Sequence, residues 1–114
     1  MAGDSEQYLR RLARTLAANR ELFDHVEVVG HADQRGTNQY NYRLSERRAT
    51  TIANSLISAG VSPGQVRTQG RGEAELLTRS LAPAALARNR RVEMRFHGVK
   101  NQAALKNLID SVAR

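Results

Sequence analysis

The sequence predicts a single α/β domain. Three features predict it: a strand–turn–helix run from Val26 to Leu56, an alternating segment from Arg90 to Phe96, and amphipathic helical repeats near both ends of the chain. With 114 residues and 40% hydrophobic content, the chain can bury one modest core. Three tyrosines, two phenylalanines and no tryptophan leave that core to Leu, Val, Ile and Ala.

The first helix is expected from Ser5 to about Asn19. Leu9, Leu12, Ala13, Leu16 and Ala17 repeat at the three-and-four spacing, and Asp4 or Ser5 can cap its start. Arg10, Arg11, Arg14 and Arg20 fall mainly off that stripe, as a solvated face would. Val26–Val29 is β-branched and stopped by Gly30, which reads as a strand. Ala32–Asn38 is a polar turn, and a helix then runs from Gln39 or Asn41 to Ala59, with Gly60 as its left-handed stop. Projected at helical period, Leu44, Ala49, Ile52, Ala53 and Leu56 share one arc, and Asn41 joins them. Arg43 and Arg47 lie outside the arc, but Arg48 lies in line with Leu44 and Ile52.

A guanidinium is costly to bury unpaired, so Arg48 calls for a carboxylate, and Asp33 at the strand exit is the nearest by topology. Such an acid and base either form a structural ion pair or make a dipolar pocket for a ligand that carries both a carboxylate and an ammonium group. Farther along, Val61–Gly64 is a turn and Gln65–Gly70 a short strand with Val66 and Thr68 on one face. Gly70-Arg71-Gly72-Glu73 is a tight exit with no phosphate-binding continuation. A short helix is expected from Pro83, since proline suits a first turn. In the Arg90–Phe96 strand, Val92, Met94 and Phe96 face the core while Arg91, Glu93 and Arg95 face outward. The segment 98–114 is an amphipathic helix with Leu105, Leu108, Ile109 and Val112 on the stripe that must bury against this domain or a partner.

Gly30-His31-Ala32-Asp33 with Gly36 and Thr37, then Tyr40-Asn41 with Leu44-Ser45-Glu46-Arg47-Arg48-Ala49, and later Asn89-Arg90-Arg91-Val92, resemble the OmpA-like (OmpA/Pal/MotB C-terminal) peptidoglycan-binding family. The motifs stand in the family's order and spacing from about Val26 to Phe96. The resemblance implies a two-layer sandwich of helices on a small mixed sheet. It implies non-catalytic binding of peptidoglycan through the diaminopimelate of the stem peptide, in the periplasm of an envelope whose protein or complex is thereby anchored to the cell wall. The ligand residues it implies are Asp33, Arg48, Asn41, Ala32 and Leu44, with Arg91 in support. Ala32 replaces the threonine of the common form, as it does in one branch of the family.

Two departures stand out. The family's first strand precedes its first helix, and this sequence starts at the helix, so an edge strand is expected to be absent, supplied by another copy, or replaced by the tail or the Leu76 region. The segment Glu73–Asn89 is more apolar than the family's polar loop. The binding domain is expected over 1–97, with 98–114 as an added helix packed on the domain or on a partner.

The remaining features narrow the alternatives. The absence of cysteine excludes disulfides and thiolate metal sites. His25, His31 and His97 lack metal-ligand spacing, no strained serine turn is present, and neither catalysis, a cofactor nor a metal is expected. No apolar run approaches the ~20 residues of a membrane span. Met1-Ala2-Gly3-Asp4 is no secretory leader, so an exported protein is expected to arise from a longer precursor. The net charge of +7 favours anionic partners. It leaves open a polyanion or nucleic-acid binder, and an interaction module, as a homodimer or in an envelope secretion or motility complex, as the competing readings.

Overall fold

The computed structural model describes the backbone of residues 3–113 and the side chains from Gln7 to Val112; the side-chain cap expected at Asp4 or Ser5 lies outside the described side chains. The elements in order are α1 (Gly3–Ala18), a 3-10 turn (Arg20–Leu22), β1 (His25–Gly30), α2 (Asn38–Ser58), a second 3-10 turn (Pro63–Gln65), β2 (Val66–Gly70), α3 (Pro83–Asn89), β3 (Val92–His97) and α4 (Gln102–Ala113). The helices accompany a three-stranded sheet of order β2-β1-β3.

The sheet is mixed. Arg71 N–H donates to Gly30 C=O and Ala32 N–H to Gly72 C=O, so pairing advances in the same direction along both chains and β1 and β2 are parallel. Asp24 N–H donates to His97 C=O and His31 N–H to Arg91 C=O, so β3 runs antiparallel to β1. A parallel pair needs a long crossover, and the 21-residue α2 supplies it.

The chain divides into two compact units. One gathers the residues up to Val26, Ala53–Arg67 and those from Phe96 onward. Its interior is apolar: Leu9, Leu12, Ala13 and Leu16 of α1 are buried, as are Phe23, Val26, Ala53, Leu56, Val61, Leu105 and Val112. α4 lies against α1, and the Phe23 and Phe96 rings meet edge-on at 5.3 Å. Gly60 ends α2 at φ 116°, the left-handed stop that its position after Ala59 predicted.

The other unit comprises Glu27–Ile52 and Thr68–Arg95. Its buried set mixes Val28, Val29, Ala32, Ala49, Ala85 and Leu86 with five polar residues, His31, Asp33, Asn41, Ser45 and Asn89. Here α2 comes very close to the sheet. A Cβ on Gly30 would collide with the Ser45 carbonyl, and one on Gly70 would lie 2.8 Å from both Glu46 N and Ser45 Oγ. Ser45 itself donates to Tyr42 C=O at 2.8 Å and accepts from Gly72 N–H at 2.9 Å.

The buried line along α2 is therefore Asn41, Ser45, Ala49, Ala53 and Leu56: four of these lie on the expected arc, and Ser45 takes the centre in place of Leu44 and Ile52. Leu44, Arg48 and Ile52 are half-buried flanks. Small residues win the central line because only they allow this approach. The faces of β3 also differ from expectation: Val92, Met94 and Phe96 are half-buried rather than core, as are Glu93 and Arg95. β3 is an edge of the described sheet, and an edge strand has neighbours on one side only.

Candidate functional site

The site forms where β1 gives way to the loop before α2. Thr37 accepts the Tyr40 N–H on its hydroxyl at 3.1 Å and the Asn41 N–H on its carbonyl at 3.0 Å, which fixes the first turn of α2. Gly36, at φ 87°, turns the loop into that helix. The result is a cleft of ≈ 340 Å³ lined by Ala32, Asp33, Arg35 and Gly36 of the loop, Tyr40, Asn41, Leu44 and Arg48 of α2, and Arg90.

Asp33 is only 5% exposed, and both its oxygens are occupied. Oδ1 accepts from Arg35 N–H at 2.9 Å and Arg35 Nε at 3.2 Å. Oδ2 accepts from Arg35 Nη2 and Arg90 Nη1, each at 2.8 Å. The Arg35 hydrogen bonds, with Arg90 in support, outweigh burial and hold the carboxyl well below the usual carboxylate range. Asn41 Nδ2 donates to Asp33 C=O at 3.1 Å and to Glu73 Oε1 at 3.3 Å.

Arg48 is not paired with Asp33, and no ion pair joins the two among the described residues. Its guanidinium is half-buried and reaches His31 C=O at 3.4 Å. The residue is only half-buried and its guanidinium has a carbonyl acceptor, so the full penalty of an unpaired buried charge does not arise. With Arg35, Arg48 and Arg90 around one acid, the cleft carries three guanidiniums to one carboxylate.

Five of the six expected residues, Ala32, Asp33, Asn41, Leu44 and Arg48, line this cleft. Arg91 does not. Its Nε donates to Glu93 at 3.2 Å and its Nη2 to Glu75 C=O at 3.0 Å. Its neighbour Arg90 faces Asp33 instead, because the alternation of β3 sends Arg91 to the sheet face that carries Glu93 and Arg95.

Behind the cleft lies His31, fully buried, with Nε2 2.9 Å from Glu93 Oε1 and Nδ1 without a hydrogen-bond partner. Burial pushes its pKa below the ordinary value against the pull of Glu93. Burial also raises Glu93, but hydrogen bonds from Arg95, Arg91 and His31 prevail and bring it to about 2. Asn89 is also fully buried. It donates to Thr78 C=O at 2.9 Å and Gln34 Oε1 at 3.2 Å and accepts from Leu77 N–H at 2.8 Å, tying the 73–82 loop to the loop that carries Asp33. Both stand in the motifs that carry the family resemblance, His31 beside Asp33 and Asn89 before Arg90, but their burial and partners have no signal in the sequence. Among the described residues no group of three or more side chains could hold a metal, and no helix is long and apolar enough to cross a membrane.

The model of the OmpA family matches residues 3–90. This chain belongs to the OmpA family. Among relatives of this OmpA-family domain, outer membrane protein A of Bordetella avium is 40% identical over 73 residues, covering 64% of this chain and 38% of that protein. The peptidoglycan-associated lipoprotein of Legionella pneumophila is 40% identical over 75 residues, covering 66% of this chain and 43% of that protein. The chain thus spans well under half the length of these curated relatives. The crystal structure of the peptidoglycan-associated lipoprotein from Burkholderia pseudomallei superposes with TM-score 0.77 at 25% identity, over 85% of this chain and 80% of that one. The arrangement of helices on a small mixed sheet is therefore the OmpA-like one.

Proposed function

We propose that this OmpA-family domain binds peptidoglycan without catalysing a reaction, through the diaminopimelate residue of the stem peptide. In doing so it anchors an envelope protein or complex to the cell wall from the periplasmic side. Residues 1–97 form the binding domain in this reading, and 98–114 add a helix on the α1 side. Relatives named for peptidoglycan association and for the outer membrane support it.

The observation that carries the ligand class is the separation of charge in the cleft. Asp33 and Arg48 line the same small cavity without neutralising each other. A zwitterionic head group, with its carboxylate on the Arg48 fork and its ammonium on Asp33, is complementary to that arrangement. Arg35 now occupies the ammonium position, but its side chain is 61% exposed and leaves at little cost. Arg90 stays behind Asp33 and keeps it ionised. Asn41 has both its donor bonds committed to Asp33 C=O and Glu73, so its carbonyl oxygen is the acceptor on offer to the ligand. Ala32 and Leu44 supply the apolar wall for the methylene chain between the two charged ends.

The test is sedimentation with insoluble Gram-negative peptidoglycan at physiological and high salt. Wild type is expected to bind at both, and Asp33→Ala and Arg48→Ala to lose binding by more than tenfold while keeping wild-type circular dichroism. Binding that high salt abolishes equally in wild type and variants would instead indicate a non-specific polyanion surface.

A further inference from the structure

Tyr40 lines both the Asp33 cleft and a larger basin of ≈ 890 Å³ along the exposed side of α2. Tyr40, Arg43 and Arg47 line it at helical spacing, with Thr50 and Thr51 at the far end. Tyr40 borders both cavities and is 54% exposed. Elsewhere in this unit Arg35, Arg71, Arg90, Arg91 and Arg95 each face a carboxylate. Arg43 and Arg47, like Arg48, Arg79 and Arg88, have no carboxylate partner among the described residues, but they alone of these line the basin, which carries one acid, Glu46.

We propose that this basin is a second carboxylate subsite for the same ligand. A peptide whose diamino-acid head sits at Asp33 and Arg48 passes over Tyr40 and places a further carboxylate between Arg43 and Arg47. This rests on the peptidoglycan reading above and deepens it. Residues four apart on a helix are neighbours, so the two planar forks can close on one carboxylate from either side. The Tyr40 ring offers an apolar face to the peptide chain between the subsites and a hydroxyl to its amides. The simplest matching group is a γ-linked glutamyl residue, whose α-carboxylate stays free. A nucleic-acid strand fits less well, since the basin offers one aromatic ring for stacking and sets Glu46 against a run of phosphates.

The experiment uses the full chain and three probes: free diaminopimelate, γ-glutamyl-diaminopimelate, and the same dipeptide with the glutamyl α-carboxylate amidated. Calorimetric titration of wild type is expected to favour the free dipeptide over its amide by about three- to tenfold, the size of a well-formed but exposed ion pair. The double variant Arg43→Gln/Arg47→Gln is expected to lose that preference and to bind free diaminopimelate as wild type does. A wild type that does not discriminate, or a double variant that still does, overturns the proposal. Tighter binding of a single-stranded oligonucleotide than of the dipeptide, lost in the double variant, overturns it in favour of a phosphate chain. Asp33→Asn is expected to lose all three probes. If it binds free diaminopimelate as wild type does, the reading of the cleft itself fails, and the second subsite fails with it.

Discussion

His31 sits where the proposed ligand cleft meets the buried polar cluster. Its carbonyl holds Arg48, its ring is locked to Glu93, and its Nδ1 has no partner. Because burial lowers its pKa in the folded protein, the unfolded chain takes up a proton first as pH falls below about 6.5. Stability is therefore expected to drop as pH falls through that point. A second drop is expected below about 4.5, where the unfolded chain protonates the carboxylates that Arg35, Arg91 and Arg95 keep ionised in the fold. Urea midpoints between pH 8 and 3 should show both steps, and His31→Asn should remove the upper one. Arg35 behaves in the opposite way to a ligand residue: Arg35→Ala vacates the ammonium position, and diaminopimelate titration should show affinity equal to or above that of wild type. The residues proposed to bind the ligand were legible as types, because a charged residue on an apolar arc and an acid at a strand exit are both out of place. Their pairing was not legible. Which arginine meets Asp33 depends on side-chain direction, and a one-residue step from Arg91 to Arg90 reverses the strand face.

The element that sets the geometry is α2. Gly30 lets it approach until the Ser45 backbone fills the space a side chain would take. Gly30→Ala is expected to cost about 3 kcal/mol, the upper end of overpacking, read as a lower denaturant midpoint with an unchanged slope. Asn89 plays the complementary part for the loops. Removing its three hydrogen bonds in Asn89→Ala should cost about 1–3 kcal/mol and accelerate amide exchange at Leu77. The helices and strands were legible to within a few residues because periodicity and β-branching declare them: β1 was expected at Val26–Val29 and spans His25–Gly30. The buried face of α2 was legible at Asn41, Ala49, Ala53 and Leu56, but Ser45 was not foreseen, because hydrophobic projection rewards Leu44 and Ile52 whereas close approach selects Ser45. That choice depends on the glycines of other strands, which no local pattern in the helix reveals.

At the scale of the molecule, the charge of +7 acts separately from the cleft. It is expected to give weak retention on duplex DNA that falls steeply between 50 and 200 mM salt and is the same in wild type and Asp33→Ala; a shift assay across that range checks it. The topology was legible only through the family resemblance, because order β2-β1-β3 depends on long-range pairing that a single sequence does not encode locally. The edge strand β3 carries a further meaning. Its half-exposed positions alternate Val92, Met94 and Phe96 with Arg91, Glu93 and Arg95, and the charged set is knitted into ion pairs that extend to Glu75. A strand with open hydrogen-bonding groups and apolar side chains is a template for fibril growth, and like-signed or mismatched charges stacked in register would oppose the addition of an identical strand. Arg91, Glu93 and Arg95, which stand apart from the cleft, therefore serve as gatekeepers against self-templated aggregation.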